Sequence, residues 1–175
     1  MTAQEIITYA AERLLKKAVD TMDGLGWLND AVQSLGVDAG QFEEQAIVAA
    51  AGVWSDLPAD SPADCLKVYE VRDGTGSDYY GWEADRKRIR FADDGTFTLR
   101  YYRLPAILTD GAQVPECPEV FHRVLAYYIA YRFEARDFPG ENTTVAWLSE
   151  YQTRLEKAKA QLQKNAKLVN VRVWR

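Results

Sequence analysis

Residues 118–165, PEVFHRVLAYYIAYRFEARDFPGENTTVAWLSEYQTRLEKAKAQLQKN, decide the fold. They read as two helices joined by a tight break at Phe138-Pro139-Gly140. The first, 118–137, carries one apolar face of Phe121, Val124, Leu125, Tyr128, Ile129 and Phe133. Pro118 suits its first turn, where a missing N–H costs nothing. The second, 143–165, repeats Leu148, Tyr151, Leu155, Ala158 and Leu162 in steps of three and four, which stacks side chains on one helix face. Asn142, Thr143 or Thr144 can cap it. A pair with this much apolar face needs a second layer, from the same chain or from another copy.

The first 36 residues offer that layer. Ile6, Ile7, Ala10, Ala11, Leu14, Leu15, Ala18, Val19 and Met22 recur with the helical period and predict a helix over 3–22. Thr2 with Glu5 three residues later has the spacing of a capping box. Asp23-Gly24 reads as its end, and 25–36 as a second helix closing a helical hairpin. A DNA-reading helix–turn–helix has the same outline. Residues 25–36 contain no Lys or Arg, however, and base recognition calls for such side chains.

The middle of the chain reads as sheet, over about 45–104. Residues 40–54 fit helix by their alanine content and strand by their setting; the reading taken is strand for 45–51. Residues 55–64, with two prolines and three aspartates, read as loop. Strands follow at 66–72 and 79–82. Residues 87–91 and 96–102 flank Asp93-Asp94-Gly95, the clearest hairpin signal in the chain. Phe97, Leu99 and Tyr101 alternate with Thr96, Thr98, Arg100 and Tyr102, the pattern of a sheet with one buried face. At the far end Val169, Val171 and Val173 alternate with Asn170, Arg172 and Trp174. That predicts a terminal strand, an arm that adds to a sheet edge in this chain or another.

Composition excludes several classes. The chain has 175 residues, 47% hydrophobic and 27% charged, within the range of a single folded domain. No apolar run reaches the ~18 residues of a membrane span. The N-terminal Met-Thr-Ala-Gln-Glu lacks the basic and apolar regions of a secretory signal, so none is expected. Cys65 and Cys117 stand far apart and read as reduced structural thiols. A net charge of −5 argues against a generic nucleic-acid binder. The charge is uneven. Residues 118–175 carry 10 basic and 6 acidic residues, a balance of +4, which leaves −9 for 1–117. Such asymmetry suits head-to-tail contacts and arises equally from solvated surface.

No catalytic constellation is visible. His122 is the one histidine and lies in the first turn of an amphipathic helix. Asp56, Asp60 and Asp64 lie among prolines and lack the glycine and glutamate of a calcium loop. Gly74-Thr75-Gly76 is no phosphate loop. Neither a cofactor nor a metal is expected, and no enzymatic activity. The aromatic content says more: five Trp and ten Tyr are many for one small core. Tyr and Trp concentrate at interfaces. Tyr79, Tyr80 and Trp82 are candidates for such a surface, as are Arg154 and Lys157 off the apolar seam of the last helix.

The order of these elements resembles the head-to-tail adaptor (connector) proteins of tailed bacteriophages. A helical hairpin carries Trp27-Leu28-Asn29-Asp30-Ala31. Leu57-Pro58-Ala59-Asp60 leads into a short sheet ending at Tyr101-Tyr102-Arg103-Leu104-Pro105. A helix opens with Pro118-Glu119-Val120-Phe121-His122 and continues through Tyr127-Tyr128-Ile129-Ala130, and a final helix runs 143–165. The likeness covers about 3–165. Ser61-Pro62-Ala63-Asp64 departs from it by partly repeating the preceding turn.

The resemblance implies an α+β fold: mainly an α four-helix bundle of two helical hairpins, with a small inserted antiparallel sheet and an extended C-terminal arm. Residues 1–165 would form a single adaptor domain and 166–175 a docking arm. The implied role is structural. A ring, commonly of twelve copies, would sit in the virion neck between portal and tail, with double-stranded DNA passing through its lumen and no membrane involved. Assembly would take place in the host cytoplasm. The implied partners are the portal protein, a tail terminator or tail nozzle or tube protein, and further copies of the chain. Leu168, Val169, Val171, Val173 and Trp174 would dock on the portal or a neighbour. Tyr79, Tyr80, Trp82, Arg154 and Lys157 would face the next subunit or the tail. The alternatives are a tail-completion or tail-tube component, which should be mostly strand, and a small DNA-binding regulator.

Overall fold

The computed structural model describes residues 1–39, 42–57, 65–85 and 88–172. The chain divides into two compact units, Met1–Ala39 with Ala106–Arg175, and Gly40–Pro105. The first is helical and the second is β.

In the helical unit, α1 (Ala3–Tyr9) opens with the expected capping box. Thr2 Oγ1 accepts from the Glu5 N–H at 3.2 Å, and Glu5 Oε2 accepts from the Thr2 N–H at 2.9 Å. The helix then widens into a π segment, Ala10–Leu15, and ends at Lys16, whose φ of 57° is left-handed. The expected helix over 3–22 therefore stops seven residues early. Asp20 lies outside it and caps α2 (Thr21–Leu35) by accepting from the Met22 and Asp23 N–H groups at 2.9 and 3.2 Å. Asp23-Gly24 is not the break but the first turn of α2. Gly24 is there because a Cβ at that position would lie 2.9 Å from Ile7 Cγ1. A short 3₁₀ turn, Gly36–Ala39, follows.

Helices α3 (Glu119–Asp137) and α4 (Asn142–Arg172) form the expected antiparallel pair. Gly140, at φ 86°, turns the chain between them. Thr144 Oγ1 donates to the Phe138 carbonyl at 2.8 Å. The core joins Ile6, Ile7, Leu28, Phe121, Leu125 and Ile129, all nearly or fully buried. Tyr151 and Ala158 supply the α4 side, with Leu148, Leu155 and Leu162 half-buried against them.

The loop before α3 is fastened at both ends. The Ala3 and Gln4 N–H groups, orphans of a helix start, donate to the Gln113 and Gly111 carbonyls at 2.8 Å each. Asn29 on α2 grips the same loop twice: Nδ2 donates to the Leu108 carbonyl at 2.9 Å and Oδ1 accepts from the Leu108 N–H at 2.8 Å. Asn29→Ala strands both partly buried Leu108 groups. A loss of about 1–3 kcal/mol is expected, read as a lower midpoint in chemical denaturation at unchanged slope.

The β unit consists of two three-stranded antiparallel sheets. Its strands are β1 (Phe42–Ala49), β2 (Trp54–Asp56), β3 (Cys65–Arg72), β4 (Trp82–Ala84), β5 (Arg88–Phe91) and β6 (Gly95–Arg103). The sheet orders are β1-β6-β3 and β2-β5-β4. Each consecutive run β1–β2, β3–β4 and β5–β6 thus passes from one sheet to the other, and β5–β6 is central in both. The register survives the passage. Ala49 faces Gly95 before the corner and Trp54 faces Arg90 after it, with equal stretches, 50–53 and 91–94, between. The two sheets share one core of Leu57, Val71, Ile89, Phe91, Phe97, Leu99 and Tyr101. Strands that switch sheets at bends are the way such corners are made.

The expected fold class is corrected on three counts. First, the β part is no small insert in a four-helix bundle but a unit with two sheets and its own core. Second, the expected hairpin across Asp93-Asp94-Gly95 does not form; 88–91 and 95–103 belong to different sheets. The two aspartates bond elsewhere: Asp94 Oδ1 accepts from the Ala51 N–H at 2.7 Å, and Asp93 Oδ2 accepts from the Tyr79 hydroxyl at 2.8 Å. Third, the expected C-terminal strand is helix as far as Arg172. Val173 and Trp174 lie outside the described residues, as do 58–64 of the expected loop. The alternation of Phe97, Leu99 and Tyr101 on one buried face of β6 holds.

Candidate interaction surfaces

The candidate aromatic residues are not one cluster. Tyr79 turns inward, its ring 4.6 Å from Phe97 and its hydroxyl held by Asp93. Tyr80, one residue on, is 84% exposed. Trp82 is half-buried against the β core. Two shallow clefts, of about 430 and 450 Å³, share Tyr80 and Trp82 as walls. Tyr69 and Asp78 complete one, Gly52 and Arg90 the other. On β2, the Trp54 ring meets two guanidinium groups, those of Arg88 and Arg90, each 5.2 Å from its centre. Asp85 holds Arg88 at 3.2 Å, and Glu83 pairs with Arg90.

On α4 the two candidate cations differ. Arg154 is engaged within the unit: its guanidinium lies 4.1 Å over the Tyr127 ring, and its Nε donates to Glu150 at 2.7 Å. Lys157 is exposed. Lys159, farther along the helix, pairs with Asp38 at 3.1 Å. α4 has 31 residues against 19 in α3. At 1.5 Å per residue the excess is about 18 Å of helix. Leu168, Val169 and Val171 fall in that excess, on helical backbone rather than on a strand.

Other exposed apolar groups were not among the candidate surface residues. Met22, Phe138 and Val145, 74, 47 and 56% exposed, belong to segments linked at one end of the helical unit. There Arg136 binds Asp23 at 2.9 Å, and Thr144 reaches the Phe138 carbonyl. Val48 on β1 is 80% exposed.

The titratable groups are placed for structure. Burial pushes the Cys117 thiol up to about 12 and raises that of Cys65, so both are poor nucleophiles at neutral pH. Burial, with Glu43 nearby, lifts Tyr101 to about 12. His122 is buried, with Nε2 3.3 Å from the Cys117 carbonyl and Nδ1 2.9 Å from the Met1 amino group. Burial first, and then the Met1 ammonium, lower its pKa. Folded protein therefore refuses a proton that the unfolded chain accepts. The stability this represents is full above the unfolded value of about 6.5 and is lost as pH falls below it, toward the depressed folded value. The melting temperature should drop between about pH 7.5 and about pH 5.5, and His122→Gln should remove part of that drop.

Among the described residues no group of three or more His, Cys, Asp or Glu side chains is placed to hold a metal. No helix among them is long and apolar enough to cross a membrane. The candidate site is therefore a set of surfaces: two shallow clefts, the exposed Tyr80 and a last helix 12 residues longer than α3. The chain matches the family model of the SU10 adaptor protein over residues 1–173, and it belongs to that family. It is a phage structural adaptor protein, a virion component that associates with other phage head and tail proteins. No curated protein matches the chain. Membership of a structural adaptor family implies a non-enzymatic role.

Proposed function

We propose that the protein is the head-to-tail adaptor of the virion neck. It joins the capsid portal to the tail as a ring of copies, commonly twelve, around a channel for double-stranded DNA. The family match over nearly the whole chain is the observation that carries this reading. The excess of α4 supports it, because a projecting helix reaches a partner without disturbing the core. Both units serve one adaptor protomer, and the end of α4 with 173–175 docks on the portal or a neighbour. Leu168, Val169, Val171, Val173 and Trp174 supply the apolar contact there. Tyr80 and Trp82, with Lys157, face the next copy or the tail terminator, nozzle or tube protein. Tyr79 and Arg154 brace those surfaces from behind.

The net charge of −5 favours passage of DNA over its retention, since tight binding needs cationic contacts to phosphate. Removing residues 166–175 tests the docking role. The truncated chain should keep its melting temperature and lose capture by purified portal rings. Undiminished capture would refute that role.

A further inference from the structure

Among the described residues the β unit has four sheet edges, and they are unequal. β2 and β4 are three residues long. β3 is long but irregular: its register shifts between Cys65 and Lys67 and again between Val68 and Glu70. Short strands, bulges and edge lysines are the devices that keep sheet edges from pairing with other chains. β1 has none of them. It runs in unbroken register from Phe42 to Ala49, and it contains no Lys and no Pro. Its charges are confined to Glu43 and Glu44, and Gln45 to Ala49 carry none.

The outer face of the same sheet says what fits beside this edge. Its rows run across β1, β6 and β3. In one row Glu44 faces Arg100, which faces Glu70, at charge separations of 3.6 and 3.7 Å. Arg72 closes onto Glu70 at 2.5 Å. The signs alternate along the row, and at the β1 edge they stop on a carboxylate. The Glu44 side chain is 58% exposed. The next position in that row takes a cation, because opposite charges directly across a strand pair attract. The neighbouring rows begin with Ala46 opposite Thr98 and Val48 opposite Thr96. Both β1 residues are exposed, Val48 to 80%. They accept small or β-branched side chains.

We propose that the edge of β1, unpaired among the described residues, receives an extended segment of a partner protein. The segment adds as a further strand beside β1, with Arg or Lys opposite Glu44 and small or β-branched residues opposite Ala46 and Val48. The backbone ladder supplies affinity and the alternate side chains supply register, as in other strand additions. This assignment goes beyond the adaptor reading and does not depend on a ring.

The test uses the full chain and a short synthetic strand of alternating threonines with one arginine and two valines, in both chain directions. Its twin has glutamate in place of arginine. Binding is read by backbone amide signals and by hydrogen exchange. The arginine strand should bind saturably, about fivefold tighter than its twin, and should protect amides within 42–49. Glu44→Arg should reverse the preference. Val48→Lys should weaken both strands with the melting temperature unchanged. The proposal is overturned by absent binding, by equal affinity for both strands, or by protection on β3 instead. It is also overturned if Val48→Lys alone changes the oligomeric mass, which would give the edge to a second copy.

Discussion

Phe91→Ala is expected to cost the β unit about 3–5 kcal/mol. Phe91 is 1% exposed and stacks on Phe97 with ring centres 4.4 Å apart and planes within 13°. The Tyr79 ring lies 6.3 Å away. Its backbone matters too: the carbonyl accepts from the Gly52 N–H at 2.8 Å, and the residue pairs with Trp82 of β4. The side chain therefore fills the corner where the central ribbon passes between sheets. Truncation leaves a cavity in the core that the two sheets share. Whole small domains are stable by only about 5–15 kcal/mol. Denaturation should show an early transition reported by the β-unit tryptophans Trp54 and Trp82. Phe91→Leu keeps more of the volume and should lose less. An alanine variant within 1 kcal/mol of wild type would contradict the shared core.

Gly24→Leu is expected to cost about 3 kcal/mol or more, from overpacking alone. Any Cβ at 24 meets Ile7 at 2.9–3.0 Å, and Ile7 is 2% exposed with little room to retreat. Helix propensity pulls the other way, by about 1 kcal/mol on replacing glycine, and is too small to win. Gly26, two residues along the same helix, has nothing within 4 Å of its Cβ position. Gly26→Ala should therefore stabilise by about 0.5–1 kcal/mol. Opposite signs from two glycines of one turn would be decisive for α1 packing on α2. Equal effects at both positions would mean that α1 does not approach there.

The features legible in the sequence were those fixed by neighbours. Thr2 and Glu5 form their capping box, and Phe97, Leu99 and Tyr101 point inward from β6, because both follow from local spacing. The misread features depend on distant partners. Asp93-Asp94-Gly95 carries hairpin chemistry, yet its aspartates serve Tyr79 and Ala51, and the chain changes sheet instead of turning back. The end of the first helix at Lys16 follows a π widening that no residue type announces. The alternating valines near the C-terminus favour strand by composition. Val169 and Val171 follow a helix already formed, and extending a helix needs no new nucleus. Of the candidate surface, the Tyr and Trp excess was visible, but only the backbone separates exposed Tyr80 from packed Tyr79. The β1 edge was not visible, because an edge is defined by which strand is missing beside it.

The most direct test of the adaptor role is the mass of the purified protein, measured alone and after mixing with portal rings. The reading predicts a protomer of 19.8 kDa that adds to the portal in a fixed number of copies matching the portal's symmetry. A compact monomer whose mass and sedimentation are indifferent to the portal would contradict it.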